Sequence, residues 1–332
     1  MSGWLSDVTI AHLRAVSDEP DLSDTKYRLL SALGRGGMAS VYAAQDTELG
    51  REVALKVIAA DDPDGSLAAR MLREARILAR LEHPGIVPVH DVGSLPDGRM
   101  FYVMKRVRGR RLDELLPELA ERDARLRIFE RICEAVAFAH AHGVLHRDLK
   151  PENIMVGEFG EVLVMDWGVA KVLRDSAADV ASGAPASVPS GAAVTQHGTR
   201  IGTPGYMAPE QLRGDVQVGA QTDVWGLGAI LHVLLHGGPP GEVRQGSQPR
   251  SVPRRLRAIL DRALAPEPGQ RYADADAIAE DVRRFRAGAT PSAYHEPLYE
   301  RVGRLAWKYR TPIALILSYV LMRMLLLAFT RR

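Results

Sequence analysis

The spacing of apolar residues divides the first third of the chain into short strands and one helix. Apolar and polar positions alternate in short runs bounded by turn residues, which predicts strands. The predicted strands are residues 27–33, 41–44, 52–58, 86–92 and 100–107. From Leu67 to Leu81 apolar residues instead recur with helical spacing, and Pro84 follows, which predicts a helix over residues 67–81.

Helical spacing dominates the remainder of the chain. The predicted helices are residues 126–142, 222–235, 256–264 and 275–285. Gly143 follows the first of these at a position where glycine commonly ends a helix. A short apolar strand, residues 161–165, lies between the first two helices. Most of the predicted strands therefore precede most of the predicted helices. The sequence contains no internal repeat.

Three segments depart from this pattern. Residues 1–24 form a polar N-terminal extension with loose helical periodicity. Residues 176–193 are nearly all Ser, Ala, Gly, Pro and Val, a composition that predicts a flexible segment. Residues 312–330 are mostly Leu, Ile, Ala, Met and Val, and at about 1.5 Å per residue a helix of this length approaches the roughly 30 Å hydrocarbon core of a bilayer.

Composition narrows the functional classes. The hydrophobic fraction of 46% and the charged fraction of 25% are those of an ordinary globular protein. A net charge of +2 gives no reason to expect a nucleic-acid partner. The single cysteine, Cys133, excludes an internal disulfide, fits a reducing cytoplasm and is expected to be a buried structural thiol. The N-terminus has no apolar region typical of a signal peptide.

Candidate chemistry is concentrated in the run His146-Arg147-Asp148-Leu149-Lys150-Pro151-Glu152-Asn153. Asp148 supplies a carboxylate, Lys150 an ammonium group and Asn153 an amide. Phosphoryl transfer uses this mixture, because a proton must be accepted, phosphate charge must be neutralised and a metal ion must be held. Taken alone, the run could equally be a polar turn with a solvated charge cluster.

Two further features come earlier in the chain. Gly34, Gly36 and Gly37 lie between two predicted strands, where backbone N–H groups could approach phosphates, although an ordinary glycine hairpin explains them as well. Lys56 lies at the centre of an apolar strand and needs a partner there. Glu74 lies on or beside the apolar face of the following helix and is the candidate, although an exposed glutamate among arginines is the alternative.

Two later motifs add to these candidate catalytic features. Asp166-Trp167-Gly168 ends the short strand, and Ala208-Pro209-Glu210 follows the flexible segment. In this order the motifs closely resemble those of protein kinases, and in particular bacterial serine/threonine kinases of the eukaryotic (Hanks) type. The resemblance covers about residues 27–285. It implies an α+β, bilobal fold with a small β-rich N-lobe and a larger helical C-lobe, to which the C-terminal apolar helix is added.

The resemblance also implies a role for each matching residue, with ATP and Mg²⁺ (or Mn²⁺) as cofactors. Lys56 would hold the α- and β-phosphates and pair with Glu74. Asp148 would deprotonate the substrate hydroxyl, and Lys150 would neutralise the γ-phosphate. The metal ligands would be Asn153 and Asp166. The remaining nucleotide contacts would come from Gly34, Arg35, Gly36, Gly37, Val41, Ala54, Met104, Lys105 and Val107. Scaffold roles fall to Arg271, paired with Glu210, and to Asp223, which would brace the catalytic loop.

Substrate class and regulation follow by the same resemblance. Lys150 and Thr203 are typical of kinases that act on Ser and Thr hydroxyls of proteins. Arg147, directly before the catalytic aspartate, would bind an activation-loop phosphate. Thr195 and Thr199 are the candidate autophosphorylation sites, with simple exposed loop residues as the alternative.

Three departures from the family pattern stand out. Ala39 replaces a glycine of the phosphate-binding loop, and Trp167 replaces the usual phenylalanine, which would repack the apolar column through His146. The chain is short between Leu235 and Arg254, so a substrate-docking helix is expected to be missing. An ATP-binding pseudokinase and a small-molecule kinase of the same fold therefore remain alternatives to a protein kinase.

The domain organisation follows from these segments. The N-terminal extension, residues 1–24, precedes a kinase domain over residues 25–287, whose N-lobe spans 25–104 and whose C-lobe spans 105–287. A flexible insertion at 174–196 lies in the activation segment, which runs from Asp166-Trp167-Gly168 to Ala208-Pro209-Glu210. A basic linker, residues 288–311, is followed by a predicted transmembrane helix, residues 312–330. Because Arg323 lies inside this span, a helix that lies in the membrane interface and a helix docked on the protein are the alternatives. Basic residues before the apolar segment favour that side as cytoplasmic. We therefore expect a single-pass protein of the cytoplasmic membrane that contacts membrane lipid, with its kinase domain in the cytoplasm. A homodimer is left open.

Overall fold

A computed structural model gives the fold of the chain. It describes residues 19–36, 39–58, 62, 65–167, 171–172, 205–214, 219–241 and 252–297, with scattered positions from 309 to 323. Several predicted features lie outside these residues: Gly37, Thr203, the insertion at 174–196, both candidate phosphorylation sites and much of the predicted helix 312–330. No helix among the described residues is long and apolar enough to cross a membrane.

The N-terminal lobe is built on a five-stranded antiparallel sheet with the strand order β1-β2-β3-β5-β4. The strands are β1 (Tyr27–Arg35), β2 (Ala39–Asp46), β3 (Arg51–Ile58), β4 (Val89–Ser94) and β5 (Met100–Lys105). Side chains alternate between the two faces of β3. Leu55 and Val57 pack into an apolar cluster on one face, whereas Ala54 and Ile58 join the main core on the other. Alternation therefore places Lys56 on the face that belongs to the main core.

Helix α1 (Ser66–Leu78) lies on that same side. Its buried face consists of Met71, Glu74, Ala75, Ile77 and Leu78. The carboxylate of Asp62 accepts hydrogen bonds from the backbone N–H groups of Leu67 (3.0 Å) and Ala68 (2.9 Å), which satisfies two donors of the first turn. The helix thus brings one carboxylate, Glu74, into an otherwise apolar contact with the sheet.

The second lobe is mainly helical. Its helices are α2 (Leu112–Leu115), α3 (Arg122–Ala141), α4 (Pro209–Arg213), α5 (Ala220–His236), α6 (Arg254–Ala263) and α7 (Ala275–Arg286). Short strands also belong to this lobe, and they pair in the orders β6-β8-β9 and β10-β7. They are β6 (Gly109–Arg111), β7 (Val144–Leu145), β8 (Ile154–Gly157), β9 (Val162–Val164) and β10 (Lys171–Val172). Helix α5 is buried on most of its surface and lies against α3, α6 and α7.

One strand boundary predicted from the sequence is wrong. The strand predicted at residues 86–92 begins only at Val89, and Ile86 forms an isolated bridge to Val164 instead. The cause is Pro88, which has no backbone N–H with which to extend the ladder. Ile86 therefore connects the first lobe to β9 of the second lobe.

The chain folds back onto the second lobe after α7. The buried carboxylate of Asp281 accepts hydrogen bonds from the Tyr272 hydroxyl (2.8 Å) and from the backbone N–H groups of Ser292 (2.6 Å) and Ala293 (3.0 Å). Arg255 forms an ion pair with Glu296 at 2.9 Å. The first residues of the segment predicted as a linker, 288–311, are therefore packed against α6 and α7.

A buried ion pair joins α4 to the base of the second lobe. Arg271 Nη1 lies 2.7 Å from Glu210 Oε1, and Arg271 Nη2 lies 2.8 Å from Glu210 Oε2. Their side chains are 0% and 4% exposed. The guanidinium group also donates to the carbonyl oxygens of Ala265, Pro266 and Gln221. The pairing inferred from the resemblance is present, and every direction around the charge is occupied.

Removing Arg271 should therefore be costly. We expect Arg271→Ala to lower the free energy of unfolding by about 3–5 kcal/mol, because Glu210 would remain buried without its counter-charge. Arg284→Ala is the matched control, since its partner Glu280 is as exposed as Arg284 itself, at 45% each, and the loss should be below about 1 kcal/mol. Urea denaturation of both variants measures the difference, and equal losses would contradict the prediction.

Candidate active site

Lys56 lies at the centre of the cleft between the lobes. Its ammonium group is 2.8 Å from Glu74 Oε1 and 3.4 Å from Asp166 Oδ1. Its side chain is only 17% exposed. Burial alone lowers the pKa of Lys56, but the charges of Glu74 and Asp166 outweigh burial and raise it above its ordinary value. Lys56 is therefore held as a cation between one carboxylate from each lobe.

Tyr102 holds this arrangement in place and was not identified from the sequence. It pairs with Lys56 in the register of β3 and β5, and its hydroxyl donates to Glu74 Oε1 at 2.8 Å. The Lys56 ammonium lies 5.6 Å from the centroid of the Tyr102 ring. Burial and the charge of Glu74 raise the pKa of Tyr102 well above its usual range, so the hydroxyl remains a donor. Glu74 is thus oriented by two donors.

The loop between β7 and β8 brings three predicted residues together. Lys150 Nζ donates to Asp148 Oδ2 at 2.8 Å. Asn153 Nδ2 donates to the backbone oxygen of Asp148 at 2.8 Å and to its Oδ2 at 3.2 Å. Among the described residues, no hydrogen bond is recorded to Asp148 Oδ1. One carboxylate oxygen is therefore held by the loop, and the other can accept a proton.

Asp223, on the buried helix α5, fixes the start of this loop. Its carboxylate accepts from the backbone N–H groups of His146 (2.9 Å) and Arg147 (2.7 Å). His140 Nε2 lies 2.8 Å from the same carboxylate. Burial alone raises the pKa of Asp223, but these hydrogen bonds and the nearby imidazoles lower it overall. Arg147 adopts φ 71°, a left-handed conformation that is costly for a side chain and that these contacts maintain.

Asp166 and Asn153 are the candidate metal ligands. The backbone N–H of Met165 donates to the Asn153 carbonyl at 2.8 Å, which ties the two segments together. The Asn153 side chain donates through Nδ2, so its Oδ1 is left to accept or to bind a cation. The side chain of Asp166 is 52% exposed, and its backbone has φ 55°. Burial raises the pKa of Asp166, but Lys56 and His146 outweigh it and lower the pKa, so the carboxylate is ionised at neutral pH.

This donor set fits one kind of metal ion. A carboxylate oxygen and an amide oxygen are hard ligands, and Mg²⁺ is commonly held by one or two such protein groups together with phosphates and water. Within the described residues, no group of three or more His, Cys, Asp or Glu side chains forms a closed metal site. The pair is therefore suited to a cation that arrives with a phosphate ligand.

Trp167 follows Asp166 and anchors it. The indole is 1% exposed, donates to the Val164 carbonyl at 3.3 Å and lies with its ring centroid 4.6 Å from that of His146. His146 Nε2 in turn lies 2.9 Å from the Met165 carbonyl. The indole of Trp167 therefore packs against His146 next to Asp166.

The glycine-rich turn lies close to Lys56 across strand β2, because Val41 pairs with Gly34 on one side and with Lys56 on the other. Gly34 and Arg35 end β1, and the backbone N–H of Gly36 donates to the Ala39 carbonyl at 2.9 Å. A Cβ atom on Gly36 would lie 3.3 Å from that oxygen, so a side chain there would crowd the turn. The residues predicted to cover an adenine ring are neighbours: Val41 pairs with Lys56, and Ala54 pairs with Met104.

The segment after β5 supplies the remaining predicted contacts. The backbone N–H of Lys105 donates to the Pro88 carbonyl at 3.1 Å, and Val107 lies two residues beyond the end of the strand. Arg106 and Arg108 both form ion pairs with Glu52 on β3, at 2.6 and 2.9 Å. The connection between the lobes is thus pinned to the sheet.

Arg147 also connects the loop to α4. Gln211 Nε2 donates to the Arg147 carbonyl at 2.8 Å. Burial lowers the pKa of the Arg147 guanidinium below its ordinary value, against a smaller opposite effect of Asp223. Its proposed partners, Thr195 and Thr199, lie outside the described residues.

Comparison with known sequences agrees with this geometry. The protein kinase domain family matches residues 27–285. Serine/threonine-protein kinase PknD of Chlamydia caviae is 36% identical over 322 residues, which cover 87% of this chain and 34% of the relative. Serine/threonine-protein kinase PknB of Mycolicibacterium smegmatis is 38% identical over 295 residues, which cover 82% of this chain and 44% of the relative. The chain therefore spans less than half the length of these relatives.

A solved structure shares the fold. The crystal structure of the PknI kinase domain of Mycobacterium tuberculosis superposes with a TM-score of 0.57 at 26% identity and covers 78% of this chain and 96% of that domain. The predicted two-lobed fold, with a β-rich first lobe and a helical second lobe, is therefore confirmed. The relatives compared above are bacterial serine/threonine-protein kinases, and the protein kinase domain family covers most of this chain, so the chain belongs to the protein kinase family.

Proposed function

We propose that this chain transfers the γ-phosphoryl group of ATP, with Mg²⁺ (or Mn²⁺), to Ser and Thr hydroxyls of proteins. The observation that supports this most strongly is the position of Lys56 between Glu74 (2.8 Å) and Asp166 (3.4 Å). In kinases the lysine–glutamate pair and the metal-binding aspartate must both be in place for activity. Here Lys56 contacts both carboxylates, and this supports the proposal.

The loop residues provide the chemistry of the transfer. The substrate hydroxyl would give its proton to Asp148 Oδ1, for which no hydrogen bond with a described residue is seen. Its oxygen would attack the γ-phosphorus as the bond from that phosphorus to the β–γ bridging oxygen breaks, and ADP would leave. Lys150, 2.8 Å from Asp148 Oδ2, would move toward the phosphoryl oxygens and neutralise the charge on them. Bound Mg²⁺ would supply further charge neutralisation at the phosphates, held by Asn153 Oδ1 and Asp166.

Nucleotide binding would use the glycine-rich turn and the adjoining face of the sheet, on which Lys56 also lies. Lys56 would bind the α- and β-phosphates, and the backbone N–H groups of the glycine-rich turn would bind the terminal phosphates. Val41 and Ala54 would cover the adenine ring beside Met104, and the backbones of Lys105 and Val107 would hydrogen-bond its edge. We propose domain limits of 25–287 for this unit.

Regulation by autophosphorylation is part of the proposal. Arg147 is half-buried, and its carbonyl is tied to α4 by Gln211. A phosphate on Thr195 or Thr199 would bring a charge of about −1.5 to −2, which a partly buried guanidinium can pair. Such a pair would link the activation segment to the loop that carries Asp148.

The proposed location is the cytoplasmic membrane, with a tether at residues 312–330 that contacts lipid. Support comes from the sequence, in which a basic segment precedes a mostly apolar one. The described positions Leu315, Ile316, Tyr319, Val320 and Met322 are helical and between 42% and 67% exposed. Exposed apolar side chains of this kind would gain from transfer into a bilayer.

Labelled ATP, Mg²⁺ and a generic protein acceptor test the proposed catalysis. We expect Lys56→Met and Asp148→Asn each to lower phosphate incorporation by about 10²–10⁴-fold, because they remove the phosphate-binding cation and the general base. Phosphopeptide mapping of the active chain should find Thr195 or Thr199. Lys26→Met and Asp97→Asn are matched controls, because both residues lie at the surface of the N-terminal lobe and contact none of the proposed catalytic residues, so both variants should retain activity. Equal incorporation in all five proteins would refute the proposal, and nucleotide binding without incorporation would favour a pseudokinase.

Carbonate extraction of membranes tests the proposed tether. The full-length chain should remain in the membrane pellet at alkaline pH, whereas a variant that ends at residue 311 should be found in the supernatant, because only the apolar segment is held by the hydrocarbon core. Release of the full-length chain would contradict a membrane-spanning tether.

A further inference from the structure

Two histidines lie one turn apart at the C-terminal end of α5. His232 and His236 are four residues apart, a spacing that places side chains on the same face of a helix. Their rings lie against each other, with centroids 4.3 Å apart and planes inclined by 32°. Both side chains are partly buried. Neither belongs to the active site described above.

The hydrogen bonds of the two rings fix which nitrogen is available. His232 Nδ1 lies 2.6 Å from the Gly238 carbonyl, and His236 Nδ1 lies 3.3 Å from the His232 carbonyl. A carbonyl oxygen can only accept, so each Nδ1 carries the proton and each Nε2 keeps its lone pair. Neither Nε2 forms a hydrogen bond with a described residue. Neither is a buried atom without a partner, so neither is enclosed by the described protein. Both lone pairs are therefore open to a ligand.

This is the arrangement of a two-histidine metal site. Metal-binding histidines usually donate their other ring nitrogen to a carbonyl or carboxylate, which orients the ring. Histidines four residues apart on a helix bind zinc through one face in other proteins. The Gly238 carbonyl orients the ring of His232 in this way, and the His232 carbonyl orients the ring of His236.

We propose that His232 and His236 bind a single Zn²⁺ ion through their Nε2 atoms, at the distance of about 2.0–2.1 Å usual for Zn–N bonds. Within the described ranges no third His, Cys, Asp or Glu joins the pair, so water completes the coordination. Imidazole nitrogen favours zinc over Mg²⁺, which prefers oxygen ligands. The site is thus chemically separate from the magnesium ligands in the cleft.

The position of the pair suggests what a bound ion would affect. The Gly238 carbonyl that orients His232 belongs to the turn after α5, and Gly237 in that turn has φ 87°. Pro239, which directly follows Gly238, lies close to Gly205: a Cβ atom on Gly205 would be 3.2 Å from the proline ring. Gly205 begins the described segment that leads into α4. Zinc would therefore stiffen a turn that supports the end of the activation segment.

The test is zinc binding by the full-length chain, measured by competition with a weak zinc-binding dye in buffer that contains millimolar Mg²⁺. We expect one zinc equivalent in the wild type, and a loss of affinity on the order of tenfold or more in His232→Gln and in His236→Gln, because each removes one arm of the chelate. His142→Gln is the matched control. Its Nδ1 also lies near the carbonyl four residues earlier, at 2.8 Å, and its ring also packs on an aromatic ring, but there is no second imidazole in that contact.

The expected result is that His142→Gln binds zinc as the wild type does. The proposal would be overturned if His232→Gln and His236→Gln both kept the wild-type affinity, if His142→Gln lost as much affinity as they do, or if the wild type bound no zinc. The stacked rings would then be a packing contact only. A second measurement does not depend on whether the variants fold. Zinc, but not Mg²⁺, should protect His232 and His236 of the wild-type chain from diethyl pyrocarbonate, as detected by mass spectrometry, and absence of protection would also overturn the proposal.

Discussion

A positive charge held inside the cleft is the constraint on which the arrangement of the two lobes depends. Lys56 projects from the face of β3 that joins the main core, where an unpaired ammonium group would be costly. Its partners come from three other places: Glu74 from α1, Tyr102 from β5 through that carboxylate, and Asp166 from the second lobe. Each of these elements must be correctly placed for the charge to be stable, so the ion pair reports whether sheet, helix and second lobe are assembled together.

A second fixed point lies in the other lobe. Helix α5 is apolar on most of its surface and is therefore buried, which makes Asp223 a rigid support for whatever it contacts. It holds the backbone of His146 and Arg147 in a conformation that the chain would not otherwise adopt, and so sets the direction of Asp148. The Arg271–Glu210 pair anchors α4, and Gln211 of α4 returns to the Arg147 carbonyl. The catalytic loop and the end of the activation segment thus share one scaffold.

The sequence could predict contacts where the residue type itself demands a partner. A lysine in an apolar strand needs a counter-charge, so Glu74 on the following helix could be named as its partner. Glu210 could be named as the partner of Arg271 only through the resemblance to protein kinases. It could not predict Tyr102 as a site residue, because a tyrosine in a β-strand is indistinguishable from an ordinary core residue. The start of β4 was misplaced because apolar character outweighed the effect of Pro88. The docking of Ser292 on Asp281 depends on tertiary packing, which no local pattern reveals.

The central claim is that Lys56 and Glu74 act as one unit in nucleotide binding, and a double-mutant cycle tests it most directly. The dissociation constant for Mg–ATP would be measured for the wild type, Lys56→Met, Glu74→Gln and the double variant. The account predicts strong coupling, on the order of 1 kcal/mol or more, with the double variant binding little worse than Lys56→Met alone, since Glu74 acts only through the lysine. Losses that add within about 0.3 kcal/mol would contradict it.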